Sequence, residues 1–242
     1  MSQPSTFIGC AGWSLNREQA PAFASDGSHL QRYASRLNAV EINSSFYRPH
    51  RPQTYAKWAA SVPPGFVFSV KLPKLITHVQ RLQDCEAALD DFLSQCTLLA
   101  DRLGCLLVQL PPSLVFDEPI AEAFFTALRE RFSGQVVLEP RHASWAGGQG
   151  LLVQHRIAQA GVDPSRISTD AAPSGWPGLK YWRLHGSPRI YHSAYEPARL
   201  EQLAREIHEA QVAGTQAWCI FDNTASGAAL ANALTLTSLM AR

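Results

Sequence analysis

Residues 135–145 read QVVLEPRHASW, and within four positions they deliver Glu139, Arg141 and His142 from the end of a run that is otherwise Val, Val and Leu. A carboxylate can accept a proton. A guanidinium offers a planar fork matched to phosphate or carboxylate. An imidazole titrates near neutral pH. Six further β-rich runs end in the same manner. Glu41 and Asn43 close AVEINSSF, Ser69 and Lys71 close FVFSVKLP, and Gln109 closes CLLVQLP. Asp170 stands near the end of RISTDA, Arg183 and His185 close LKYWRLHG, and Asp222 with Asn223 closes AWCIFDN. Several of these pairs are two residues apart, so a strand would project both members from one face.

Positioning them requires a fold that gathers strand ends. The strand-like runs fall at 6–13, 39–46, 66–73, 105–111, 135–141, 166–171, 179–186 and 217–223. Amphipathic segments separate them at 29–37, 52–61, 85–103, 118–132, 149–160, from Pro197 onward, and at 227–240. In 85–103, Leu89, Phe92, Leu93, Cys96, Leu99 and Leu103 recur at helical spacing. Only APSGWPG at 172–178 is too short and too rich in Pro and Gly for a helix. Eight strands alternating with seven helices predict an α/β fold. It is a single TIM-type (β/α)8 barrel over residues 1–242, lacking the helix between strands six and seven. Inward residues of such a barrel alternate along each strand, and polar strand ends form a bowl at the carboxyl face. An open doubly wound sheet is the rival, but GCAGWS after the first strand has the wrong spacing for a dinucleotide fingerprint.

Composition sets broad limits. The chain has 242 residues, 46% hydrophobic and 17% charged, with a formal net charge of +1. Such a balance supports a packed core and does not advertise nucleic acid, membrane or acidic partners. Five cysteines without short spacings point to a reduced protein rather than a disulfide framework or zinc knuckle. MSQPSTFIGC has no basic segment leading into an apolar one, and no apolar run reaches membrane-spanning length, so a cytoplasmic location is expected.

Taken in order, GCAGWS, VEINSSFY, FSVKLP with ITH, LLVQLPPS, LEPRHASW, WRLHG and FDNTASGAAL resemble the YecE-like family of domains of unknown function. The resemblance runs from about Phe7 to Leu236. It implies a TIM-type barrel with a pocket at the carboxyl end and supplies no activity.

For the pocket, the residues predict a small anionic ligand held by Lys71, Arg141 and Arg183. Asn43, Asp170, Asp222 and Asn223 are further candidate contacts, and Trp13, Trp145 and Tyr47 are candidate stacking surfaces. If the pocket is catalytic, Glu139 or Glu41 serves as base and His185 or His142 as acid. No metal or cofactor is expected. A structural network across the barrel top, with Glu41 on Lys71 and Glu139 on Arg141 or Arg183, is the plain alternative. Metal-dependent phosphodiester or nuclease chemistry would use Glu41, Glu139, Asp170, His142, His185 and Asp222 as ligands, but three cations compete with a divalent ion there. Nucleic acid is therefore the less favoured partner. A non-catalytic binding protein and a two-carboxylate glycosidase on Glu41 and Glu139 complete the alternatives.

Overall fold

A computed structural model describes residues 6–167 and 170–241. Among the described residues, ten strands form one sheet in the order β7-β9-β10-β1-β2-β3-β4-β5-β6-β8. The core strands are β1 (Thr6–Ala11), β2 (Ala39–Ile42), β3 (Val67–Lys71), β4 (Leu103–Gln109) and β5 (Gln135–Glu139). They continue as β6 (Ile157–Gln159), β7 (Gly161–Asp163), β8 (Ser174–Gly175), β9 (Leu179–Leu184) and β10 (Gln216–Phe221). All pairings are parallel except that of β8 with β6. Segments β6 and β7 are separated only by Ala160. The first pairs with β5 and the second with β9, which brings the two ends of the sheet together as a TIM-like barrel. The α-helices among the described residues are α1 (His29–Tyr33), α2 (Pro52–Ala60), α3 (Glu86–Cys96), α4 (Glu118–Arg131), α5 (Gln149–Gln154), α6 (Pro197–Val212) and α7 (Ala228–Met240).

The sixth barrel strand corrects the sequence-based expectation. Residues 149–160 were expected to be helical throughout and 166–171 to be a strand. Instead α5 stops at Gln154 and the strand runs through 157–163. Residues 168 and 169 lie outside the described residues, and the described neighbours Arg166, Ile167, Asp170 and Ala171 are in no strand. A tertiary contact ends the helix. Arg129 of α4 donates from Nε to the His155 carbonyl at 2.7 Å and from Nη2 to the Arg156 carbonyl at 2.8 Å. Those carbonyls belong to the turn after α5, where orphan acceptors need partners. Arg156 adopts φ +55°, the left-handed conformation usually left to glycine after a helix. Between β7 and β9 no helix occurs among the described residues, as expected.

Alternate positions divide the strands between two cores. Ile8, Val40, Val70, Leu106, Leu138 and Phe221 face outward and pack beneath the helices, joined by Leu89 of α3, Leu128 of α4 and Leu203 of α6. Phe7, Ala39, Val67, Leu107, Val137, Ala158, Leu179, Tyr181 and Trp218 fill the barrel interior. Gly104 makes room for the largest of these, since a Cβ there would stand 2.4 Å from the Trp218 ring. These interior residues sit towards the amino ends of their strands. Continuing by twos towards the carboxyl ends, the same interior file becomes Glu41, Ser69 and Lys71, Gln109, Glu139, Arg183 and Asp222, all buried. Strand alternation alone therefore carries one file from a dry floor to a charged upper layer.

Candidate functional site

Arg183, from the end of β9, organises the upper layer. Its Nε and Nη2 donate to the two oxygens of Glu41, at 2.9 and 2.7 Å. Nη1 donates to Glu139 Oε2 at 3.1 Å, and Nη2 also stands 3.1 Å from Asp222 Oδ2. Three carboxylates from β2, β5 and the end of β10 thus surround one fully buried guanidinium. The bidentate grip on Glu41 is the geometry for which Arg differs from Lys. Glu41 is paired with Arg183, not with Lys71 as the network alternative had it.

Glu139 gathers four partners, Arg183 among them. Its Oε1 accepts from Gln109 Nε2 at 2.9 Å and from Arg141 Nε at 3.0 Å, and lies 3.2 Å from His185 Nε2. Burial by itself would raise its pKa. Arg183, His185 and Arg141 outweigh that and hold the carboxyl well below the usual range. His185 is bracketed between two acids, with Nδ1 2.9 Å from Asp222 Oδ2 and Nε2 facing Glu139. Burial opposes its protonation, but Glu139 and the hydrogen bonds that the ring donates to both carboxylates prevail, and its pKa is raised. Asp222 is depressed despite burial because Arg183 and His185 stand beside it. The arrangement favours an imidazolium between two carboxylates, a group able to give up a proton to a ligand.

Below this layer, Tyr181 bridges the two halves of the barrel. Its hydroxyl donates to Glu41 Oε2 at 3.3 Å and lies 3.1 Å from Ser69 Oγ, while its ring stacks over Trp218 at 6.0 Å.

Lys71 belongs to the same layer on different terms. Its Nζ lies 4.1 Å from the centre of the Phe46 ring and makes no hydrogen bond or ion pair among the described residues. Burial, reinforced by Arg183 and partly offset by the acids, brings its pKa down to about 8. The buried Ser45 hydroxyl fixes the local turn by sharing its one proton between the carbonyls of Lys71 at 2.6 Å and Ile42 at 2.9 Å. His78 packs edge-on against Phe46 at 4.9 Å. Burial and the positive field of Lys71, Arg141, Lys74 and Arg81 lower its pKa to about 4, so it is neutral. On the opposite side, Tyr191 stands edge-on to His185 at 5.7 Å. Its φ of +69° is unusual for a bulky residue and sets the direction of this ring.

Glu41, Glu139, Arg141, Arg183, His185 and Asp222 are thus joined in one ion-pair network, with Lys71 beside it. The remaining candidates lie elsewhere. Asp170 is not at a strand end. Its carboxylate accepts from the Ser165 hydroxyl and from the backbone N–H groups of Arg166 and Ile167, both at 3.1 Å, so it shapes the loop after β7. His142 caps the 3-10 turn Ala143–Gly148, with Nδ1 accepting from the Ser144 N–H at 3.2 Å. Trp145 is buried, donates to the Leu114 carbonyl at 2.9 Å and packs on Phe116, which makes it a core residue. Trp13 packs edge-on against Trp58 of α2 at 5.0 Å. Tyr47, 75% exposed, touches Phe46 edge-on at 4.9 Å. Asn223 ties strand end to loop through Nδ2, which donates to the Ser193 carbonyl and to Asn232 Oδ1, both at 2.9 Å. Asn43 Oδ1 is buried and without a hydrogen-bond partner among the described residues.

The sequence places Phe46 at the rim as a packing aromatic and does not point to His78. Neither position shows in periodicity, because both sit in irregular turns after their strands: 3-10 at Ser44–Phe46 and π-type at Leu75–Val79. The five cysteines are unbonded and buried. Burial pushes the Cys10 and Cys105 thiols up to about 12, far from a reactive thiolate. Among the described residues no group of three or more His, Cys, Asp and Glu is arranged to hold a metal ion.

The model for the protein family of unknown function DUF72 matches residues 7–242. The chain belongs to the DUF72 family. The protein YunF of Bacillus subtilis is 24% identical over 97% of this chain and 94% of its own length. YecE of Escherichia coli K12 is 29% identical over 170 residues, 69% of this chain, and the match spans 60% of the YecE sequence. A crystal structure of a DUF72 family protein from Thermotoga maritima superposes with a TM-score of 0.82 at 23% identity, covering 98% of this chain and 99% of that one. One from Enterococcus faecalis gives 0.80 at 20% identity, over 98% and 96%. At these identities the DUF72 structures establish the fold. No helix among the described residues is long and apolar enough to cross a membrane.

Proposed function

We propose that the charged layer is the wall of a pocket for a small ligand bearing phosphate or carboxylate, with His185 as proton donor and Glu139 as its partner. One observation carries this reading. The acids of the layer are taken up by Arg183, His185 and Arg141, while the Lys71 ammonium has no carboxylate of its own. His78 lies in the field of Lys71 and Arg141 together, and that local excess of positive charge invites an anion. Arg183 has a different part from the one sequence suggested. Its donors are committed to Glu41, Glu139 and Asp222, so it holds the acids in place and leaves ligand contact to Lys71 and Arg141.

The position of Arg183 also weighs against the nuclease-like alternative, because a guanidinium already occupies the space among the three carboxylates where a divalent ion would be bound. Titrating phosphate at constant ionic strength while following thermal unfolding tests the proposal. A saturable rise in Tm that is lost in Arg141→Gln supports it by linkage. A response no different from that to chloride overturns it.

A further inference from the structure

The chain contains four lysines, at positions 57, 71, 74 and 180. Lys57 and Lys74 are exposed, and Lys180 Nζ donates to the Pro173 carbonyl at 3.2 Å. Lys71 is 5% exposed at the carboxyl end of a barrel strand, yet its amine is tied to no acceptor among the described residues. A lysine kept for stability in such a layer would be paired, since an unpaired buried ammonium is costly. Here the nearby acids are already engaged. Arg183 grips both oxygens of Glu41, four residues share Glu139, and His185 and Arg183 share Asp222. The face of Phe46, 4.1 Å away, gives the ammonium a weaker partner than a carboxylate, which leaves the nitrogen free to turn towards a ligand.

We infer that Lys71 is a carbonyl-reactive amine, which condenses with the aldehyde or 2-oxo group of a small carboxylate- or phosphate-bearing ligand to form a protonated imine. The substrate class rests on the anionic-ligand reading above, with Arg141 holding the anionic end. In the step, the ammonium first releases a proton, and the nitrogen lone pair attacks the carbonyl carbon while the C=O π pair moves to oxygen. A proton passes from nitrogen to that oxygen, the hydroxyl so formed leaves as water after taking up the proton released at the start, and the nitrogen lone pair closes the C=N bond. Ammonium and carbonyl give iminium and water, with no net proton change and no redox step. The desolvated amine beside Arg183, with its pKa near 8, provides more of the nucleophilic free base at neutral pH than an ordinary lysine.

The test is reductive trapping. The protein is incubated with pyruvate and cyanoborohydride, and separately with acetaldehyde and cyanoborohydride, and the four lysines are followed by peptide mass spectrometry. Trapping at Lys71 on the order of tenfold faster than at Lys57 and Lys74 is expected from the free-amine advantage, with phosphate slowing the pyruvate reaction. Lys71→Arg should remove the fast phase. Preferential trapping by acetaldehyde but not by pyruvate would keep the amine chemistry and sink the anionic-ligand reading. If neither probe modifies Lys71 faster than the two exposed lysines, the inference is overturned, and the phosphate titration still decides the pocket on its own.

Discussion

Tyr181 and Arg183 are two residues apart on β9 and point into the same barrel, but their surroundings are of opposite kinds. The Tyr181 ring lies with Trp218, Leu107 and Val137 in an apolar floor whose shape is held by packing. Arg183 lies among Glu41, Glu139 and Asp222, held by directional ion pairs. A floor of this type tolerates any shape-matched apolar replacement. The upper layer tolerates few, because removing one member strands the others in a dry site. Building the upper half from leucine would have been simpler, and its ionic construction is what sets it apart from the floor.

The sharpest way to break this contrast is Arg183→Met. It leaves three carboxylates facing one another, and the expected loss is about 3–5 kcal/mol in urea unfolding. A loss below about 1 kcal/mol would show that the upper layer is wetter and less coupled than its geometry implies. In the floor, Leu107→Ala should cost roughly 2–4 kcal/mol through the cavity it creates. That loss should be the same at low and high salt and at pH 6 and 9, because no charge is involved. Strong pH dependence there would mean that the two halves do not act separately.

A subtler contrast comes from the pH profile. The raised pKa of His185 contributes stability that is fully present below its ordinary value of 6.5 and is lost as pH rises through the folded-state value. Lys71 acts in the opposite sense. Its amine loses its proton near 8 in the folded protein but near 10.5 when unfolded, so its contribution improves between those values. Subtracting the unfolding profile of His185→Gln from that of the unsubstituted protein isolates the histidine, and the difference should shrink as pH rises above 6.5. A difference that grows instead would contradict a charged imidazole between Asp222 and Glu139. The smallest stability effect is expected for Arg141→Gln, about 1 kcal/mol or less, because Glu139 keeps Arg183, Gln109 and His185 and the lost side chain is partly solvated. Its effect should fall on phosphate binding instead.

Seven of the eight barrel strands are legible because the interior file alternates by two, and in six of them it turns polar at the carboxyl end, which is a local property of sequence. RIAQAGVD is not. Its Ala158 and Ala160 carry no strand preference, and the strand exists because small residues fill a gap between β5 and β9 while Arg129 halts the preceding helix from another element. Asp170 was misplaced with it, since its position was inferred from the wrong strand.

Within the site, the types of charge and their arrival at one end of the barrel follow from the sequence alone, because strand periodicity and strand direction are set residue by residue. Which acid meets which base does not. Glu41 and Arg183 are 142 residues apart and meet only through barrel closure, and that closure leaves Lys71 on Phe46 rather than on Glu41. Pairing depends on which side chain reaches another first across a closed interior about one layer of side chains wide, a distance that only the tertiary structure sets.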